Sequence, residues 1–147
     1  MHIVTRLEHV KPASNIVNVY GGQESRMEKQ EILESWGRLR EELIQIGKRN
    51  ESCLLVGDLN VVIGSDHLGV KRNHAKISYG GHFVRELLEN GEYILANNLE
   101  GTTGGPWTWF CRGDGQSKSC LDLVIFSADL LPYFESMKID KAHEFSA

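Results

Sequence analysis

The chain has 147 residues, of which 41% are hydrophobic and 24% are charged, and its formal net charge is −4. This length and composition predict one globular domain, residues 1–147, and argue against disorder. Proteins that grip nucleic acid through overall charge are usually basic, so any such contact must come from a local site. Three cysteines without CxxC spacing argue against a disulfide scaffold. No apolar run approaches the ~20 residues that span a bilayer, and no signal peptide is evident. We therefore expect an intracellular protein, neither secreted nor bound to a membrane.

The first half of the chain predicts two strands, a long helix and a long loop. The apolar residues of Ile16–Tyr20 indicate a short strand, ended by the Gly-Gly pair that follows. A helix is predicted from about Ser25 to Lys48, because its apolar residues recur every three and four positions. Cys53–Val56 is almost wholly apolar, which predicts a strand buried on both faces. The region from Gly64 to Gly80 is irregular and partly basic, and loops of this length are often functional.

The second half predicts a shorter helix, three more strands and a tail. Residues 81–89 are expected to form the helix, which Asn-Gly ends, and residues 93–97 a strand. Residues 107–111 and 119–127 predict two strands joined as a hairpin by a broad loop. Residues 129–140 predict a helical turn and a last short strand. The order of these elements favours a mixed sheet with its helices on one outer face.

Asp58 and Asn60 directly follow the second predicted strand, at an end where ligands gather in open sheets. If the chain stays extended, both side chains point the same way. A carboxylate beside a carboxamide can bind a hard cation and donate a hydrogen bond to an oxyanion. The alternative is a plain Gly-Asp turn capped by its own side chain, which the spacing alone slightly favours.

Asp122 lies within Leu-Asp-Leu-Val-Ile-Phe, an apolar strand in which a carboxylate without a partner is costly to bury. It therefore needs a partner or a wet cavity, which makes it a candidate site residue; the alternative is an edge position that faces water. Tyr20 ends its strand at a turn, so its hydroxyl can reach the same rim. Trp107 and Trp109 are typical of core packing. No histidine or cysteine spacing typical of zinc is present, nor a P-loop or a nucleophile elbow.

Three segments resemble the motifs of one family, in the right order. The sequence IVNVYGGQ, at 16–23, resembles its v-n-v-Y strand, and LLVGDLN, at 54–60, resembles its G-D-F-N strand end. The pair GGPWTWF, at 104–110, and SCLDLVIFS, at 119–127, resembles its T-W and I-D-y-i-l-v-S strands. The family is the endonuclease/exonuclease/phosphatase superfamily, with the DNase I-like fold, and the motifs lie within residues 14–127. The motif sequences most resemble those of the endonuclease domain of non-LTR retrotransposons, which is fused to a reverse transcriptase.

The resemblance implies an α+β fold, a DNase I-like four-layer α/β/β/α sandwich with mixed sheets and outer helices, here in part. It also implies phosphodiester hydrolysis that depends on Mg2+ or Mn2+, held at Asp58 and Asn60. Asp58 would activate the attacking water, Asn60 and Tyr20 would bind the phosphate, and Asp122 would orient a histidine. Such a reaction needs a positioned nucleophile and neutralised oxygen charge. The expected contacts with DNA come from two loops and the aromatic strand: Lys71, Arg72, Trp109, Arg112 and Lys118.

The family has parts that these motifs do not supply. It begins with an Asn-bearing strand and a Glu motif that hold the metal, and nothing before Ile16 matches them. It ends with a Ser-Asp-His strand, whereas the residue directly before His143 is Ala142 and not an aspartate. We therefore expect a domain truncated at both ends, with weak Mg2+ affinity and little or no nicking by residues 1–147. Its expected partners are DNA and either the missing parts or a reverse transcriptase in the same polypeptide, and a working endonuclease would be nuclear.

Two other functions stay open at the level of sequence. The first is a non-catalytic remnant that binds a partner through an exposed sheet face, since half a sandwich leaves apolar surface to cover. The second is a phosphatase that acts on a small phosphoester. The two basic loops, at 64–80 and 112–118, favour a polymer over a small substrate.

Overall fold

The computed structural model describes residues 1–64, 76–105, 107–110 and 118–140, with the backbone alone at 109, 110 and 118. Two α-helices are described, α1 (Lys29–Lys48) and α2 (Tyr79–Glu89). Short 3-10 helices lie at Glu24–Arg26, Ala96–Asn98 and Ala128–Tyr133. The strands are β1 (His2–Leu7), β2 (Ser14–Val19), β3 (Ser52–Asp58), β4 (Tyr93–Leu95), β5 (Thr102–Thr103), β6 (Trp109–Phe110), β7 (Lys118–Ser119), β8 (Asp122–Ser127) and β9 (Met137–Lys138).

Five strands form the main sheet, in the order β1-β2-β3-β8-β4. The central pair β2 and β3 is parallel, with Ile16 opposite Leu54, and the other pairs are antiparallel. Two smaller sheets pair β5 with β9 and β6 with β7. This mixed sheet, together with its helices, confirms the α+β class and is consistent with part of a DNase I-like fold.

Both α-helices pack on the same side of the main sheet. α1 turns Leu39, Leu43 and Ile46 inward, which is the three-and-four spacing expected of an amphipathic helix. α2 contributes Phe83 and Val84 to the same core. The described core therefore lies between one sheet face and one helix layer.

The opposite sheet face is less covered, so the prediction that β3 is buried on both faces is wrong. Cys53 and Leu55 are fully buried towards the helices, whereas Leu54 and Val56 are half-buried on the other face. A nearly continuous apolar run does not distinguish full burial from burial on one face.

Two further differences concern the strands. The edge strand β1 was not predicted, although His2–Leu7 alternates in part and pairs with β2 over its whole length. The predicted strand 119–127 is two strands in different sheets, β7 and β8, separated by Cys120 and Leu121. The hairpin itself is confirmed, since β6 pairs with β7 in antiparallel fashion.

The helix starts also differ by a few residues. The helix predicted from Ser25 is a 3-10 turn followed by α1, which begins at Lys29. α2 begins at Tyr79, where the Ser78 hydroxyl accepts the Gly81 N–H at 3.0 Å as an N-cap. Within the described ranges, no helix has the length and apolarity to cross a bilayer.

Candidate active site

Asp58 and Asp122 lie directly opposite each other, where β3 ends and β8 begins. The Asp122 N–H donates to the Thr108 hydroxyl, and the Asp122 carbonyl accepts from the Asn97 amide. Neither backbone group of Asp122 is therefore bonded to β3. The two aspartates therefore form a non-hydrogen-bonded pair, the kind in which facing side chains lie closer together. The sheet thus brings two predicted site residues side by side.

Tyr20 belongs to the same rim, one residue beyond β2. The register pairs Asn18 with Val56, and carried two residues further it sets Tyr20 beside Asp58. The parallel ladder does continue there, because the Gly21 N–H donates to the Asp58 carbonyl at 2.8 Å. The Tyr20 side chain is 60% exposed, so its hydroxyl is accessible at the end of the sheet. Residues in register on adjacent strands lie side by side on the same face of the sheet. Tyr20, Asp58 and Asp122 therefore form one row across three strands.

Asn60 reaches this rim by a different route from the one expected. The chain does not stay extended after Asp58, since Asn60 has a φ of 50°, in the left-handed region that Asn tolerates better than most residues. The Asn60 N–H donates to Asp58 Oδ1 at 3.2 Å, which is the turn capped by its own aspartate, the alternative to an extended pair. Asn60 Nδ2 donates to the Gly21 carbonyl at 2.7 Å. The amide therefore ties the end of β3 to the end of β2.

Asp122 is not a buried residue within an apolar strand, and that expectation is wrong. It is the first residue of β8, and its side chain is exposed. β8 begins at Asp122, separate from β7, because Thr108 Oγ1 accepts the N–H groups of Leu121 and Asp122, at 2.9 and 3.1 Å. The rest of β8 carries the apolar pattern, with Leu123 and Ile125 fully buried.

The two carboxylates affect each other electrostatically. The pKa of Asp58 is raised above its ordinary value, first by partial burial and then by the negative charge of Asp122, and the N–H of Asn60 offsets this in part. Two neighbouring carboxylates offer oxygen ligands of the kind that a hard divalent cation prefers. In the part of the chain that is described, no cluster of three or more acidic, histidine or cysteine side chains could hold a metal.

Most predicted contacts with the substrate fall outside this description. Lys71, Arg72 and Arg112 lie outside the described residues, as does His143. Trp109 and Lys118 have described backbones, in β6 and β7, that pair next to each other in the same hairpin.

Sequence reasoning missed the polar side chains that hold the rim together. Asn97 and Thr108 contact the backbone at Asp122, and the Glu24 carboxylate accepts the N–H groups of Tyr79 and Gly80, at 3.0 and 2.7 Å. Glu24 thereby caps the positive end of α2. A lone Asn, Thr or Glu gives no periodic signal, so the pattern of apolar residues could not find them.

The family of the chain follows from a comparison with family models. The model of the Endonuclease/Exonuclease/phosphatase family matches residues 8–142, and the chain belongs to this family. Its members are hydrolases that include phosphatases and nucleases.

Solved structures align with the chain at low identity. A mannosyl-6-phosphatase of Bacteroides thetaiotaomicron is 17% identical over 78% of this chain and 36% of its own, with a TM-score of 0.41. A family protein of the same organism is 16% identical over 78% and 35%, with a TM-score of 0.40. Truncated TDP2 of Caenorhabditis elegans is 13% identical over 86% and 51%, with a TM-score of 0.43. The chain thus spans about a third to a half of the length of these proteins. No curated protein matches significantly.

Proposed function

We propose that the chain carries part of the active site of a Mg2+-dependent phosphodiesterase that cuts DNA, of the kind found in non-LTR retrotransposons. The observation that carries the proposal is the row formed by Tyr20, Asp58 and Asp122 at one end of the sheet, with Asn60 beside it. These are the four residues that the family motifs single out. Their meeting at one rim supports a shared chemical task, since they come from three strand ends that lie far apart in sequence.

Each residue has a role that its surroundings permit. Asp58 has a raised pKa, which makes its carboxylate a better proton acceptor for an attacking water. Asn60 Nδ2 carries two hydrogens and uses one on the Gly21 carbonyl, so the other can donate to a phosphate oxygen. The exposed Tyr20 hydroxyl can donate to the same phosphate. Asp122 is exposed, so its carboxylate is accessible to the imidazole that the family motif pairs with it.

A divalent cation fits the donor set at this rim. Asp58 and Asp122 face each other as like charges, a destabilising arrangement that a bound cation would relieve. Mg2+ commonly binds through one or two carboxylates and keeps several waters, so two acidic residues suffice for a weak site. When bound, Mg2+ neutralises charge that develops on the phosphate oxygens.

DNA as the substrate rests on the motif sequences and on the two basic loops, in which Lys71, Arg72, Arg112 and the Lys118 side chain lie outside the described residues. The net charge of −4 does not favour DNA by itself, so binding would depend on those local contacts. An endonuclease of this kind would work in the nucleus, in the same polypeptide as a reverse transcriptase.

Nicking of supercoiled plasmid, with Mg2+ or with a chelator, tests the proposal. We measure the 147-residue chain and the chain extended by its flanking coding sequence, because the chain spans about a third to a half of the aligned structures. The expected result is weak or no nicking by the short chain and Mg2+-dependent nicking by the extended one. Asp58→Ala should abolish it, while Glu41→Gln, which changes an exposed acid in α1, should not. Equal nicking by Asp58→Ala and the parent protein would contradict the assignment.

The same assay separates two other functions. Hydrolysis of p-nitrophenyl phosphate without plasmid nicking would favour a phosphatase. Plasmid binding without hydrolysis of either substrate would favour an interaction module. The half-covered sheet face supports that function, because Leu54 and Val56 are half-buried there and Ile3, on the edge strand, is 60% exposed.

A further inference from the structure

The start of β8 lacks a strand neighbour on the side that faces β4. β4 ends at Leu95, opposite Ile125, and the chain then turns into the 3-10 helix Ala96–Asn98. The main-chain groups of β8 before Ile125 therefore need other partners on that side, since a buried or half-buried peptide group without one is costly.

The side-chain amide of Asn97 takes the place of the missing strand. Its Oδ1 accepts the Val124 N–H at 2.9 Å, and its Nδ2 donates to the Asp122 carbonyl at 3.2 Å. These two bonds flank Leu123 on the side of β8 that β4 pairs with further along. A primary amide has the same donor and acceptor as a peptide group, so Asn97 extends the ladder by one step after the backbone has turned away.

Thr108 supplies the second support. Its Oγ1 accepts the N–H of Leu121 at 2.9 Å and that of Asp122 at 3.1 Å. The Thr108 N–H itself donates to the Ser119 carbonyl at 3.0 Å, which fixes the threonine to the β6–β7 hairpin. The N–H and the C=O of Asp122 are thus both held by side chains from two separate segments.

These hydrogen bonds act on Asp122, whose side chain is not held in place by packing. The Asp122 side chain is exposed, so the position of its carboxylate depends on where the backbone holds its Cα. The same backbone keeps it opposite Asp58, although like charges in facing positions destabilise a sheet. Two polar side chains therefore hold in place an arrangement that repulsion alone would open.

We propose that Asn97 and Thr108 are positioning residues, which hold the backbone of Asp122 so that its carboxylate and that of Asp58 form one cation-binding pair. The inference rests on the proposed function, since it assigns a task to residues around the same rim. Neither residue needs to touch the substrate or the cation to act in this way.

Thr108→Val removes the hydroxyl acceptor and keeps the branched shape, and Thr108→Ser keeps the hydroxyl. The matched control is Ser127→Ala, because Ser127 Oγ also accepts a backbone N–H, that of Cys53 at 2.9 Å, at the opposite end of β8 from Asp122. Asn97→Ala is a second, independent variant. Each protein is measured by NMR for the backbone order parameter of Asp122, and by titration with Mn2+ for affinity.

In the parent protein, we expect an order parameter of about 0.85 at Asp122, as for rigid backbone, and below about 0.6 in Thr108→Val and Asn97→Ala. We expect the affinity for Mn2+ to fall at least about fivefold in both, in line with the roughly 10–100-fold losses seen when residues that support metal ligands are changed. Thr108→Ser should restore both values. Ser127→Ala should lower stability and leave both values unchanged.

Two results would overturn the inference while leaving the proposed function standing. One is an unchanged order parameter at Asp122 in both Thr108→Val and Asn97→Ala. The other is a loss of order with unchanged Mn2+ affinity, which would leave a purely structural role. If the parent protein binds no Mn2+ at millimolar concentration, the proposed function fails, and the inference fails with it.

Discussion

Replacing either aspartate of the facing pair should stabilise the protein at neutral pH, and the two replacements should not be additive. Asp58→Asn and Asp122→Asn each remove the repulsion between the two carboxylates, and the double variant removes it once. Asn at position 58 keeps an Oδ1 that can accept the Asn60 N–H. The difference between the summed single effects and the double effect therefore measures the repulsion itself.

The geometry sets the size of this coupling. Facing Cβ atoms in an antiparallel pair are about 5 Å apart, and two unit charges at that separation repel by roughly 0.8 kcal/mol in the dielectric of water. Asp122 is exposed, so the high dielectric applies. Favourable facing pairs contribute about 0.2–1 kcal/mol and facing like charges destabilise, so we expect a repulsive coupling of similar size. It should shrink in 1 M salt, where the screening length is only about 3 Å.

The pH dependence has a definite sign. The folded state raises the pKa of Asp58 above the unfolded value, so the folded protein binds this proton more tightly than the unfolded chain does. Its contribution to stability is therefore most favourable at low pH, and it is lost as the pH rises from the unfolded value of 3.8 through the raised folded value. Asp58→Asn should flatten this part of the stability profile.

Urea denaturation of the four proteins at pH 7 and near pH 3 measures both effects. Coupling should be present at pH 7 and much smaller near pH 3, where Asp58, whose pKa is raised, is mostly protonated. Asp58→Asn combined with Glu41→Gln, an exposed acid on the helix layer, should be additive. If both single variants are less stable than the parent at pH 7, or if the coupling is zero there, the repulsion inferred from the facing pair is refuted.

Three further predictions follow from the rim and its supports. Calorimetry should show Mg2+ binding in the millimolar range, lost in Asp58→Asn, because the described site offers two carboxylates. Micromolar affinity would contradict this. Gly21→Ala should destabilise the fold by about 1–3 kcal/mol in denaturant melts, since its Cβ would lie 1.9 Å from the Leu59 carbonyl oxygen. By contrast, Gly37→Ala should stabilise the fold by about 0.5–1 kcal/mol, because the added Cβ would lie in open space within α1. Glu24→Gln should cost about 0.5–2 kcal/mol by weakening the cap of α2, and an unchanged melt would show that the cap is dispensable.

The sequence predicted those features that depend on a repeating pattern of apolar residues. The spacing of three and four located α1 and showed which face is buried, and the apolar run located β3, because burial acts on many residues at once. The end of β8 at Ser127 was predicted, whereas its start was not, because the apolar run does not show that a new strand begins at Asp122. Whether an acidic residue lies within a strand or at its start depends on hydrogen bonds from distant segments, here from Thr108, and no local pattern records them.

The site residues were predictable as a set, and their geometry was not. Strand period and register bring Tyr20, Asp58 and Asp122 into one row once the strand order is known. The conformation of Asn60 could not be read from spacing, because an extended chain and a capped turn place the same two residues at the same separation in sequence. The turn is preferred here because the Asn60 amide gains a bond to the Gly21 carbonyl.

The rim combines two features that a sheet selected for stability alone would avoid. Two carboxylates face each other, and a residue other than glycine has a positive φ at Asn60. Each costs free energy, and a β-branched residue at 122 with glycine at 60 would remove both costs within the same backbone. Both occur at the ends of adjacent strands, next to an exposed tyrosine. Unfavourable local choices concentrate where a site requires them, so their coincidence here is a physical reason, independent of the motifs, to regard this rim as the working part of the molecule.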